Sequence, residues 1–173
     1  MIFDLFETVT DFLATGGDVL KVIFFTTFLL WVLIIERVMF YKFRMPEIFN
    51  KKVNSWTERK DKSSWYAFKI RECEISQVNQ ELNQNIGTIK TLVSLCPLLG
   101  LLGTVTGMIA VFDVMALTGT GNARLMASGI SMATIPTMAG MVAALSGLYF
   151  GNVFDGKAKK MKASIEDHMP LEV

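Results

Sequence analysis

The sequence predicts an all-α integral membrane fold of three transmembrane helices, with the N-terminus outside and long helices extending into the cytoplasm. Three observations carry this expectation. Hydrophobic residues fill 51% of the 173 positions and mean hydropathy is +0.41, more than a single soluble core of this size needs. Three apolar runs, at 19–41, 91–115 and 125–152, reach the roughly 20 residues that a spanning helix requires. Basic residues are also unevenly placed: of 17 in total, 10 lie from Lys42 to Lys90 and 4 follow Asn152. Short cytoplasmic segments carry the excess of Lys and Arg, so residues 42–90 and 153–173 are expected inside and the N-terminus outside.

Residues 1–18, "MIFDLFETVTDFLATGGD", do not read as a signal peptide, because Asp4, Glu7 and Asp11 make the start acidic and a small-residue cleavage pattern is missing. Ile2, Phe3, Leu5, Phe6, Val9, Phe12 and Leu13 share a helical face. That spacing predicts a periplasmic amphipathic helix lying on the membrane, ended by Gly16–Gly17. A helix packed on a neighbouring subunit fits the same pattern.

The first crossing, 19–41, has Lys21 near its start and Glu36–Arg37 near its end, where long side chains can reach the interface. Trp31 and Tyr41 add aromatic bulk. The region 42–90 mixes both charge signs with Phe49, Val53, Trp56, Trp65, Phe68 and Ile75, predicting cytoplasmic helices broken near residues 60–64. From Trp65 the apolar positions run through Val78, Leu82, Ile86 and Ile89 into the second crossing, with no strong breaker before Gly87. One long helix projecting from the membrane is expected there, its charges forming a solvated face. The second and third crossings, 91–115 and 125–152, hold one ionisable side chain between them, Asp113. A short periplasmic loop, 116–124, joins them, and 153–173 is a cytoplasmic tail.

Catalytic and metal chemistry lack their parts. His168 is the only histidine, so neither a zinc site nor a histidine-based triad can be assembled. Cys73 and Cys96 are single thiols on different sides of the predicted interface. "LLGLLGTVTG" has glycines but no Gly-Lys-Ser/Thr. No enzyme activity, cofactor, metal or nucleic-acid partner is expected.

Those glycines fit close helix packing instead. Helices in a bilayer associate through small residues that let backbones approach and through interhelical hydrogen bonds. Gly100, Gly103 and Gly107 surround Thr104 in the second crossing; Ala139, Ala143 and Gly147, and separately Gly140 and Ala144, repeat at four-residue spacing in the third. So many small faces exceed what three helices can satisfy among themselves, and self-association follows.

Hydroxyls occupy the same two crossings. Thr134 and Thr137 share a face, Ser131 and Ser146 flank them, and Thr104 lies mid-membrane. Each can bond back to its own helix or repair the backbone near Pro97 and Pro136. Their joint depth equally suits the lining of a polar path.

"CPLLGLLGTVTGMIAVF" followed by "ASGISMATIPTMAGMVAALSGLYFGN" resembles the paired second and third membrane helices of the MotA/TolQ/ExbB proton-channel family, nearest its ExbB branch. The resemblance covers about residues 91–155. Its Pro-x-x-Gly-x-x-Gly-Thr motif is matched by Pro97, Gly100, Gly103 and Thr104, and "IIER" closes the first crossing in the same way. The resemblance implies a homo-oligomeric ring, a pentamer, in the bacterial inner membrane. The ring would enclose an ExbD-like single-span partner whose membrane Asp carries the proton, and a TonB-like protein would pass the work to outer-membrane receptors. It further implies that Thr104 and Thr137 face the pore. Two positions depart from the pattern: Met132 stands where many relatives have glutamate, and Ser146 where many have proline. The residues alone are also compatible with a TolQ- or MotA-like stator driving another load, or with a membrane scaffold that has no motor.

Overall fold

The computed structural model describes residue 7 and residues 16–118 and 123–170. The amphipathic helix expected over 1–18 lies outside these apart from Glu7, which is helical and exposed, and from the Gly16–Asp18 end. Most of the expected 116–124 loop is likewise outside. Among the described residues the regular elements are helical: α1 Gly17–Met39, a π-helical stretch Phe40–Arg44, α2 Met45–Thr57, α3 Trp65–Asn83, α4 Ile86–Thr118 and α5 Ala123–His168. Three helical runs, Gly17–Thr57, Trp65–Leu117 and Met126–His168, contain windows long and apolar enough to cross a bilayer.

The break expected near 60–64 is present between Thr57 and Trp65. Ser64 starts α3, its hydroxyl accepting the Tyr66 amide at 3.2 Å and so satisfying one of the orphan donors of a first helical turn. The single projecting helix is corrected. α3 stops at Asn83, Gln84 is extended with ψ 138, and Asn85 takes φ 61 before α4 begins. Asparagine is among the few residues that enter this left-handed region at modest cost. Periodicity concealed the break because Val78, Leu82, Ile86 and Ile89, all buried, keep helical spacing across it.

The chain forms two compact units, one of residues 1–31 and 90–148, the other of 32–89 and 149–173. In the first, Leu20, Ile23 and Leu30 of α1 are buried, while Phe25 and Phe28 stand 67% and 61% exposed beside Val22, Phe24 and Leu29. Such a continuous apolar exterior is at home against lipid or other subunits rather than water. Thr26 and Thr27 in this helix return their hydroxyls to the Val22 and Ile23 carbonyls at 2.8 and 2.7 Å, the usual solution in an apolar medium.

α4 and α5 cross within this unit through the small residues the sequence singled out. A Cβ on Gly103 would lie 2.4 Å from Pro136 Cβ, one on Gly107 2.5 Å from Ala133 Cα, and one on Gly140 2.5 Å from the Cys96 carbonyl oxygen. Gly100 has room for only 3.0 Å to Thr137 Cα. Higher up, Gly147 faces Val93 and Leu30. Ala143 is buried and Ala144 half-buried, while Pro97 is exposed on α4.

The second unit has its own core of Ile34, Tyr41, Met45, Trp56, Val78, Leu82, Phe154 and Ile165. Lys52 pairs with Glu74 and donates to Gln77 at 3.0 Å, and Lys69–Glu72 is an exposed pair at 2.8 Å. Arg37 departs from expectation: it does not reach out to an interface but is buried, 1% exposed. Its Nε and Nη2 donate to the Glu36 carboxylate at 2.9 and 3.1 Å, and its Nη1 donates to the Glu81 carbonyl at 3.1 Å. Phe40 lies under the guanidinium at 4.7 Å. A buried guanidinium is tolerated because its donors are occupied.

Candidate functional site

Thr137 follows Pro136 at the tightest part of the α4–α5 crossing. With no Cβ on Gly100, the Thr137 backbone approaches closely enough for its hydroxyl to donate to the Gly100 carbonyl at 2.9 Å. In an α-helix that carbonyl is also the acceptor for the amide four residues on, which here belongs to Thr104. Thr104 donates its own hydroxyl to Leu101 O at 2.6 Å and is half-exposed. The two threonines therefore converge on one turn of α4, around one peptide carbonyl, from two different helices.

The other hydroxyls divide. Thr134, one turn before Thr137 and exposed, donates to Ile130 O at 2.8 Å. Ser131 is exposed a further three residues back. Ser146 is separate: nine residues from Thr137, it lies about 180° round an ideal helix. It donates to Ala143 O at 2.8 Å and lines a lateral apolar groove with Phe24, Thr27, Trp31, Met138 and Val142. The structure thus brings Thr104 and Thr137 together, leaves Thr134 and Ser131 near them on α5, and turns Ser146 toward α1. None of these bonded hydroxyls goes to the Val93 or Met132 carbonyls, the two that Pro97 and Pro136 leave without an i+4 amide.

Met132 is also turned away from the threonine contact. Its Sδ-methyl sits 3.3 Å from where a Gly17 Cβ would be, and it lines a cavity of about 230 Å³ with Asp18, Thr106, Gly107 and Ala110. Asp18 there is exposed and held by Lys21 at 2.8 Å. Among the described residues no group of three or more His, Cys, Asp or Glu side chains could hold a metal ion. The crossing offers hydroxyls and a carbonyl and no side chain that titrates near neutrality. It can hydrogen-bond a carboxyl group or a water chain, but any acid that changes charge there has to be brought by another chain.

The residues that sequence reasoning missed lie in the second unit, where Arg37 and Tyr41 reach the end of α3. The one local signal was Asn85, a residue type suited to positive φ, standing before Ile86.

Comparison with known proteins places these features in a family. A model described as the MotA/TolQ/ExbB proton channel family matches residues 42–167. An ExbB-like protein of Synechocystis sp. is 34% identical over 103 residues, which is 58% of this chain and 49% of that one. The biopolymer transport protein ExbB of Pseudomonas putida is 32% identical over 101 residues, 58% of this chain and 30% of the relative. That of Salmonella typhimurium is 31% identical over 96 residues, 56% and 39% respectively. The alignments thus span half or less of these relatives' length. With a family match over most of its length and three helices able to span a bilayer, the chain belongs to the MotA/TolQ/ExbB proton channel family and stands close to ExbB.

Proposed function

We propose that this chain is the ExbB-like subunit of an inner-membrane proton-channel motor. With an ExbD-like partner, it couples proton motive force to TonB-dependent uptake across the outer membrane. The observation that carries the proposal is the convergence of Thr137 and Thr104 on the Gly100 turn, at membrane depth, in two crossings whose one ionisable side chain, Asp113, lies near an end. Family membership supports the channel, and the ExbB names of the relatives support the load.

The mechanism follows from the cost of charge in hydrocarbon. A carboxylate carried into the membrane by a single-span partner is costly when ionised and unpaired, and so tends to be neutral there. Facing hydroxyls or a water-filled passage, it can ionise. Each protonation step then changes which environment the partner helix prefers. A membrane potential supplies about 2.3 kcal/mol per charge per 100 mV, enough to bias rotation or tilt. The ring would provide the hydroxyl-lined wall, and the partner the charge.

Two measurements test the assembly and the orientation. Native mass spectrometry of the chain in mild detergent is expected to show a homo-pentamer, with an ExbD-like dimer bound when the two are co-expressed. A dominant monomer would contradict the self-association inferred from the small-residue faces, and a ring of another size would contradict the family-based stoichiometry. For orientation, cysteines placed at Met1 and Lys60 should react oppositely with an impermeant reagent in right-side-out membranes, Met1 labelled and Lys60 protected. Labelling at position 60 would reverse the topology.

A further inference from the structure

The last four carbonyls of an α-helix have no partner within it. In α3 these include Glu81 and Leu82. The Glu81 carbonyl accepts Arg37 Nη1 at 3.1 Å, and the Leu82 carbonyl accepts the Tyr41 hydroxyl at 3.0 Å. Both donors come from one face of the α1–π segment, four residues apart. Arg37 is fixed in turn by the Glu36 carboxylate, and Glu36 Oε2 also takes the Asn85 side-chain amide at 3.3 Å. Tyr41 is stacked on Phe154 at 5.8 Å. The turn itself contributes little: the Gln84 carbonyl accepts the Ile86 amide at 2.9 Å, and the Asn85 carbonyl accepts that of Ile89 at 2.9 Å.

We propose that Arg37 and Tyr41 form a two-point clamp that holds the α3–α4 break in one geometry, so that the break is a latched hinge set by α1 and not by its own backbone. Loss of either donor leaves a helix-end carbonyl buried and unpaired, whereas the turn residues alone place no comparable constraint. The same arrangement recurs at the end of α5. There Arg71 donates to the Glu166 carbonyl at 2.9 Å and to that of Met169, and the Trp56 indole donates to Pro170 O at 3.2 Å. An arginine and an aromatic donor close a helix C-terminus in both places, and neither has a glycine cap. The inference goes beyond the proposed function and does not depend on the load or the ion.

Hydrogen exchange of the full-length assembled protein, read by mass spectrometry, tests the clamp. Tyr41→Phe removes one hydroxyl with little change of shape, and Arg37→Lys keeps the charge but loses the planar fork. Both should speed exchange of amides 84–89 about tenfold relative to those at 67–75, a localised opening. Asn85→Gly keeps access to positive φ and gives up only the Glu36 contact, so it should change those amides less than either clamp variant. The proposal is overturned if 84–89 exchange within twofold of wild type in both Tyr41→Phe and Arg37→Lys. It is also overturned if Asn85→Gly has the larger effect, or if exchange rises equally across 67–89.

Discussion

Replacing Thr137 by valine is expected to abolish energy-dependent uptake while leaving the oligomer assembled. Valine matches threonine in shape, so the close approach over Gly100 survives and only the bond to the Gly100 carbonyl is lost. Interhelical hydrogen bonds in membranes average about 0.6 kcal/mol, too little to dissolve a helix crossing. A purely structural Thr137 therefore predicts almost full uptake in the variant, and a hydroxyl on the proton path predicts its loss. Thr104→Val should behave in the same way, since Thr104 occupies the same turn of α4. Thr134→Val, on the exposed part of α5, is the comparison. Uptake and pentamer yield are measured for all three. Normal uptake in both Thr137→Val and Thr104→Val would remove the path from this crossing, and a loss confined to Thr134→Val would move it one turn along α5.

The second large effect is on assembly. Gly140→Leu is expected to eliminate folded oligomer from the membrane fraction, because even a Cβ there would come within 2.5 Å of the Cys96 carbonyl oxygen, a backbone atom that cannot swing aside. Overpacking by a single methyl group typically costs about 1–3 kcal/mol. Leucine at a backbone-to-backbone contact exceeds that by forcing α4 and α5 apart. Gly107→Leu should fail for the same reason against Ala133. Gly156→Leu, on the same helix with open space around it, should assemble normally. Yield of the detergent-extracted oligomer on size exclusion is the measurement. Wild-type yield from Gly140→Leu and Gly107→Leu would mean that the crossing is not what holds the unit together.

Much of this architecture was legible in the sequence because the bilayer demands length and apolarity, and both are local properties. Runs such as 91–115 declare themselves without knowledge of their neighbours. The small-residue spacing of Gly100, Gly103 and Gly107 was legible for the same reason, since only close packing explains it in hydrocarbon. The buried state of Arg37 was not, because its acceptor at Glu81 lies 44 residues away and nothing in "IIERVM" reveals it. The end of α3 was hidden by the apolar period that runs unbroken through Leu82 and Ile86. Ser146 was grouped with the threonines by depth, although nine residues of helix place it about half a turn away from Thr137; depth and direction are independent coordinates.

The π-helical stretch Phe40–Arg44 sets the rotational phase of everything that follows it. Its signature is the Met45 amide, which bonds back to the Phe40 carbonyl five residues earlier. Arg37, Tyr41 and Met45, spaced by four, are all buried, although four-residue steps on a straight α-helix precess by about 40° each. The wider turn absorbs part of that drift, keeping the three side chains on one bearing. A one-residue deletion here would allow an ordinary helix to close and would cost little in backbone bonding. It would nonetheless swing Met45, Trp56 and the whole of α2 by about 100°, so this stretch tolerates substitution far better than any change of length.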